Sequence, residues 1–263
     1  MIWNFLKTLF PSALTKVVLF GRTDTGRIRP NNEDSFIVLP QANLMMVADG
    51  MGGHNAGEVA SRAAIDAMVH LVGRGALQRA GSNQEEIRHR LIHDLRQTNE
   101  QIMMMACETP AYSGMGCTFI IGFVSRGCLY TCHVGDVRAY LLTSTGFRQL
   151  TNDHTYAAEL TRIRNGSSDT AHASLPKKVT RNIVSRAIGF PFPEDPEFTA
   201  TPVAQGDRIL LCSDGLWSML PDQQMALILQ QAATAEAACD RLIVEANQAG
   251  GKDNVTAVVG LVG

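Results

Sequence analysis

Four aspartates, Asp34, Asp49, Asp214 and Asp253, each stand at the start or end of a short apolar run. Runs of this kind, bounded by turn residues, read as buried strands. If those strands share one sheet edge or one sandwich cleft, the carboxylates converge. Clustered anions beside apolar walls repel one another and rise in pKa unless a cation neutralises them. Oxygen ligands without an organised His or Cys set suit Mg²⁺ or Mn²⁺, not zinc. Two such ions about 3.5–4 Å apart can activate a shared water for phosphoryl transfer. Glu33 precedes Asp34, and Arg29 lies five residues ahead of it. That stretch reads equally as a solvated loop and as an anion-and-metal site.

The element that must hold Asp49 is Leu44–His54, read Leu-Met-Met-Val-Ala-Asp-Gly-Met-Gly-Gly-His. An apolar strand ends there in a carboxylate and a residue that turns sharply. Asn55 to Glu58 has capping-box spacing and opens a helix with Ala60, Ala64, Met68, Leu71 and Val72 on its apolar side. Asp207–Cys212 followed by Ser213-Asp214-Gly215 repeats the pattern. Helices at Asp222–Ala233 and Ala235–Ala249 come next, and Asp253-Asn254 precedes a last strand, Val255–Leu261.

Nearer the start, Val17–Phe20 and Ser35–Val38 read as strands, and Ser82 to Glu85 as a second capping box opening a helix through Ile87, Leu91, Leu95, Ile102 and Met105. From Cys117 to Leu150, short apolar runs separated by glycine turns predict a meander of antiparallel strands. Asp136 sits in one of those turns, where aspartate is structural by default. Thr151–Arg186 carries Arg162, Arg164, Lys177, Lys178, Arg181 and Arg186 against few acids. A short helix from Tyr156 to Arg164 is expected there, then an irregular, mobile surface excursion. His154 reads as a cap or turn residue.

The 263 residues, 45% hydrophobic and 18% charged, are enough for the core of a soluble globular protein. A net charge of −2 argues against general affinity for nucleic acid. The six cysteines form no CxxC pair and no zinc spacing, so they read as buried reduced thiols of a cytoplasmic protein. No stretch is long enough to span a bilayer. Residues 1–15 form an apolar extension, with Ile2, Trp3, Phe5, Leu6, Leu9 and Phe10, too weakly basic for a signal peptide. It reads either as an amphipathic helix packed on the body or as a docking segment for a membrane surface or partner. Residues 16–263 read as one domain, without repeats or a low-complexity linker.

The ordered set of motifs resembles the metal-dependent Ser/Thr protein phosphatases of type 2C, in their compact bacterial form. The matching residues are Arg29 with Glu33-Asp34, Asp49-Gly50-Met51-Gly52-Gly53-His54, Gly114-Met115-Gly116-Cys117-Thr118 and His133-Val134-Gly135-Asp136. They continue with Leu150-Thr151-Asn152-Asp153-His154, Ser213-Asp214-Gly215-Leu216 and Gly251-Lys252-Asp253-Asn254. Each motif is weak alone; together, in order over about residues 20–260, they are specific. Val137 replaces a frequent serine and Cys117 a frequent threonine, neither at a ligand position.

The resemblance implies an α+β fold: a central β-sandwich of two antiparallel sheets flanked by helix pairs, with a variable flap at about 151–186. It implies two Mn²⁺ or Mg²⁺ ions, Asp49 bridging them, the Gly50 carbonyl on one, and Asp214 and Asp253 on the other. Asp136 would help hold a third, weaker ion. Asp34 would orient the water shell, with Glu33 and Asn254 in support. Arg29 would clamp the substrate phosphate, and His54 would act as general acid. The partners implied are phosphorylated proteins and a cognate bacterial-type Ser/Thr kinase, for a protein expected to be monomeric. Two alternatives stay open: a catalytically weak member that binds or scaffolds phosphoproteins, and a hydrolase of small phosphoesters.

Overall fold

The apolar run ahead of Asp49 is a strand buried on both faces. The computed structural model describes residues 15–52, 56–73, 83–166, 183–191 and 194–263, with backbone only for 162–166. The N-terminal run, His54, the Asn55 cap and the basic residues Lys177, Lys178 and Arg181 lie outside these residues. In β3 (Leu44–Met51), Leu44, Met46 and Ala48 pack toward helices while Met45 and Val47 pack toward an opposing sheet. Strand residues alternate sides, so a strand covered on both sides reads as a continuous apolar run.

The described strands form two five-stranded antiparallel sheets. The first has the spatial order β1 (Val17–Asp24), β10 (Val255–Val262), β9 (Arg208–Cys212), β6 (Arg138–Thr143) and β7 (Gly146–Gln149). The second runs β2 (Asp34–Leu39), β3, β4 (Gly116–Ser125), β5 (Cys128–Val134) and β8 (Glu197–Pro202). Between them, Val47, Ile120, Ala139, Leu141, Ile209, Leu211 and Val258 make the inner core.

Helices α1 (Ala56–Val72) and α2 (Gln84–Glu108) cover the second sheet through Ala60, Ala64, Met68, Ile87, Leu91 and Leu95. Shorter helices follow: α3 (Tyr156–Gly166), α4 (Asp214–Trp217), α5 (Asp222–Gln231) and α6 (Ala235–Gln248). The last two cover the first sheet through Met225, Ile228, Ala238 and Leu242. This is the expected α+β sandwich with helices on both faces.

Three expectations need correction. The 117–150 region is not one meander: β4 and β5 belong to the second sheet, β6 and β7 to the first. The far edge of β5 is taken by β8, a short half-buried strand with little apolar signal, so the chain must cross to the other sheet after Val134. Gly135 makes that crossing at φ +97°, and a Cβ there would lie 2.3 Å from the Thr118 methyl. The cap of α2 falls on Asn83, whose side chain accepts from Glu86 N at 3.2 Å, one residue beyond Ser82. Ser-Asn-Gln-Glu-Glu contains two overlapping capping registers, and either residue can cap. Of the thiols, Cys117, Cys132, Cys212 and Cys239 are buried, while Cys107 is exposed and Cys128 half-buried.

Candidate metal centre

Strand parity aims two acids between the sheets. Asp49 follows Met45 and Val47 at even spacing and so shares their inward side. Asp34 is its register partner on β2, where Phe36 and Val38 also pack on the inner core. On the first sheet Cys212 pairs with Ala257, so the end of β9 and the start of β10 coincide, bringing Asp214 and Asp253 to one place. Asp136 lies in the crossover from β5 to β6 at the same end. Antiparallel pairing therefore turns four distant strand ends into one site.

A cleft of about 430 Å³ opens there, lined by Arg29, Glu33, Asp49, Gly50, Asp136, Asp214, Asp253 and Asn254. Arg29 donates to Asp253 Oδ2 at 2.6 Å with its side chain half exposed. Asn254 clamps the loop that carries Arg29. Its Oδ1 accepts from Glu33 N at 2.8 Å, and its Nδ2 donates to Thr25 O at 2.9 Å and Asn31 O at 2.8 Å. Gly50 N donates to Glu33 O at 3.1 Å. A Cβ on Gly50 would stand 2.2 Å from Gly57 O and 2.5 Å from Glu33 O, so only glycine lets strand, loop and helix meet here. Asp34 lies behind the cleft, buried, with Oδ2 accepting from Thr256 Oγ1 at 2.6 Å and Ser213 Oγ at 2.7 Å.

Five carboxyl side chains face one guanidinium among the described residues lining the cleft. Burial, then the charges of Asp34 and Asp214, pushes Asp49 well above the usual carboxylate range. Burial also lifts Asp136 to about 7, with Asp214 adding to it, and Asp214 to about 6, with Asp253 adding. Asp34 is raised by burial to about 7, against the opposing hydrogen bonds from Thr256 and Ser213. The buried Asp34 Oδ1 and Thr118 Oγ1 have no hydrogen-bond partner. Excess buried negative charge and unpartnered oxygens fit hard divalent cations.

A second group, His133, His154 and Glu197, holds its ligand-type atoms within 4.8 Å of one another but does not suit a cation. His154 Nδ1 accepts from Gly135 N at 3.2 Å, so its hydrogen is on Nε2. His133 Nε2, 3.0 Å from Asn152 O, must donate as well. Burial, then His154, drives His133 down to about 4, leaving it neutral. Glu197 is occupied by the backbone and side-chain nitrogens of Asn152 at 3.1 Å. The group braces the turn that carries Asp136: His154 N donates to Gly135 O at 2.9 Å. His154 itself lies in irregular chain ahead of α3, neither a turn nor a cap, and holds Gly135 through its ring and backbone.

The 151–186 segment is tied at its base, where Tyr156 N donates to Ile183 O at 3.0 Å and Ser185 N to His154 O at 2.8 Å. Ile183 and Val184 form an apolar wall of the cleft. Arg186, counted with the basic surface residues of this segment, is instead buried and paired with Glu159 at 3.3 Å and Glu194 at 2.8 Å. Sequence reasoning assigned no role to Thr118, Ser213, Thr256 or this wall. Hydroxyls beside the acidic motifs were the available signal for Ser213 and Thr256; Thr118 meets Asp49 only through strand register, and the wall depends on the return path of the chain.

Comparison with known proteins agrees with this geometry. The Protein phosphatase 2C family model matches residues 23–255. The serine/threonine phosphatase stp of Listeria welshimeri is 37% identical over 245 residues, covering 90% of this chain and 93% of the relative. The serine/threonine phosphatase structure from S. agalactiae superposes with a TM-score of 0.80 at 29% identity, covering 94% of this chain and 100% of that one. The catalytic domain of serine/threonine protein phosphatase PstP, in complex with two manganese ions, gives a TM-score of 0.76 at 34% identity, covering 94% and 98%. Every acid of the cleft and Arg29 fall inside the matched residues, on the fold those structures share. The chain belongs to the protein phosphatase 2C family.

Proposed function

We propose that this chain hydrolyses phosphoserine and phosphothreonine in proteins, opposing a Ser/Thr kinase, and that residues 16–263 act as one phosphatase domain. The observation that carries this reading is the cleft itself, where buried carboxylates for divalent cations stand beside one guanidinium suited to a phosphate. The names of the relatives, and the two manganese ions bound to PstP, support it.

Asp49 and the Gly50 carbonyl, with Asp214 and Asp253, would hold two Mn²⁺ or Mg²⁺ ions, and Asp136 would help hold a weaker third. When bound, such ions polarise phosphoryl oxygens and lower the pKa of coordinated water toward neutrality. The planar fork of Arg29 binds two phosphate oxygens at once, which lysine cannot do. Asn254 and Glu33 keep the Arg29 loop against the cleft. His54 follows Gly52, a cleft residue, by two positions and donates a proton to the leaving alkoxide. The basic residues Lys177, Lys178 and Arg181 of the 151–186 segment suit phosphorylated, anionic protein partners.

Hydrolysis of a phosphothreonine peptide tests the reading. Activity is expected with Mn²⁺ or Mg²⁺ and should vanish in excess chelator. Full turnover in chelator overturns the mechanism.

A further inference from the structure

Asp34 is anchored through one oxygen, and the hydrogens that anchor it are ordered. Thr256 has one hydroxyl hydrogen, and it goes to Asp34 Oδ2 at 2.6 Å. The 2.7 Å contact between Thr23 Oγ1 and Thr256 Oγ1 must then be donated by Thr23. Thr23, its hydrogen spent, accepts from Asn32 Nδ2 at 2.8 Å. Ser213 also gives its hydrogen to Asp34 Oδ2, at 2.7 Å, and accepts from Thr256 N at 3.0 Å. Asn32 closes the circuit, its Oδ1 accepting from Asp34 N at 3.1 Å. The hydroxyl hydrogens of Thr23, Thr256 and Ser213 all run toward one carboxylate oxygen.

The circuit also joins the two sheets. Thr23 and Thr256 are register partners on β1 and β10, and Ser213 follows β9, all of the first sheet. Asp34 opens β2 of the second sheet and pairs with Asp49. Asp214 and Asp253 belong to the same strand ends as Ser213 and Thr256. The hydroxyls thus tie together the strand ends from which the two sheets contribute their acids, and Asp34 Oδ1 is buried without a hydrogen-bond partner.

We propose that Ser213 and Thr256, with Thr256 ordered in turn by Thr23, are positioning residues of the metal centre. They present Asp34 Oδ1 to the cations and hold the acids of the two sheets at ligand spacing. This rests on the reading that Asp34 belongs to the metal centre. Polar groups behind metal ligands are worth about 10–100-fold in metal affinity, and a loss in that range is expected for Thr256→Val and Ser213→Ala. Thr23→Val, which does not touch Asp34, should lose less, in the same direction. Thr256→Ser keeps the hydroxyl and should bind nearly as the parent chain does.

The experiment is calorimetric titration of the chelator-treated full chain with Mn²⁺, without substrate, on variants whose folding is checked by circular dichroism. Parent-like affinity in Thr256→Val and Ser213→Ala overturns the proposal. So does Thr256→Ser binding as weakly as Thr256→Val, since methyl packing would then be the cause. Should the two buried replacements fail to fold, Thr23→Val on its half-buried strand decides, and parent-like affinity there overturns the proposal. Asp34→Asn separates the two readings. If it binds Mn²⁺ normally, the place of Asp34 in the metal centre falls and this proposal with it. If Asp34→Asn is weak while the hydroxyl variants are normal, only this proposal falls.

Discussion

Asp214 and Asp253 sit at two adjacent strand ends, and their charges act on the same small volume. Replacing either with asparagine keeps shape and removes a negative charge proposed to hold a cation. A cation site supplies several kcal/mol to phosphoryl transfer, so turnover should fall on the order of a thousandfold or more. Steady-state kinetics at fixed Mn²⁺ check this, with circular dichroism unchanged; near-parental turnover would mean that the site is elsewhere. His54→Gln should cost about 10²–10⁴-fold on a phosphothreonine peptide. On an aryl phosphate, whose leaving group needs little protonation, the loss should be small. Equal losses on both substrates would remove His54 from the chemistry.

Elements matter here through how their ends are held. The loop between β1 and β2 carries Arg29, and Asn254, just before β10, fills two carbonyls and one N–H of that loop. Asn254→Ala leaves those groups short of partners, at a cost of about 1–3 kcal/mol for a buried unsatisfied group. Because the loosened loop carries Arg29, proposed above to bind the phosphate, KM should rise together with the loss of stability. Thermal melting and phosphopeptide kinetics on the same sample check both. A lower melting temperature with unchanged KM would make Asn254 a fold residue only. The Arg29–Asp253 pair itself, half exposed, adds little to stability.

At the scale of the whole molecule, the gathered acids make stability depend on cations and pH. Asp34 and Asp136 are raised to about 7 in the folded chain, against an unfolded value near 3.9. Above the unfolded value the folded state therefore binds more protons than the unfolded one, so stability falls as pH rises through 7. His133, held down to about 4, acts the other way only below its unfolded value of about 6.5. The clean window is pH 6.5 to 8. In chelator the melting temperature should drop across that window, and saturating Mn²⁺ should raise it and flatten the drop, because a ligand of the folded state alone stabilises it. A chelated protein that melts at the same temperature at pH 6.5 and 8 would contradict this account of the site.

The four aspartates Asp34, Asp49, Asp214 and Asp253 were legible in the sequence, because each stands at the start or end of an apolar run and carboxylates at strand ends have few structural reasons to repeat. The run Leu44–Ala48 declared a strand buried on both sides, and the alanine spacing after Ala56 declared the helix upon it. Those are local signals, set by the chain's own period and polarity. What only the tertiary structure decided is non-local. The crossing at Gly135 depends on β8 occupying the far edge of β5. The pairing of Arg186 depends on Glu159 and Glu194, far from it in sequence or across the segment's base. The inward hydrogens on Asp34 depend on residues 179 and 222 positions away. A hydroxyl carries no periodicity of its own, and its partner is chosen by sheet register, which exists only once the strands have paired.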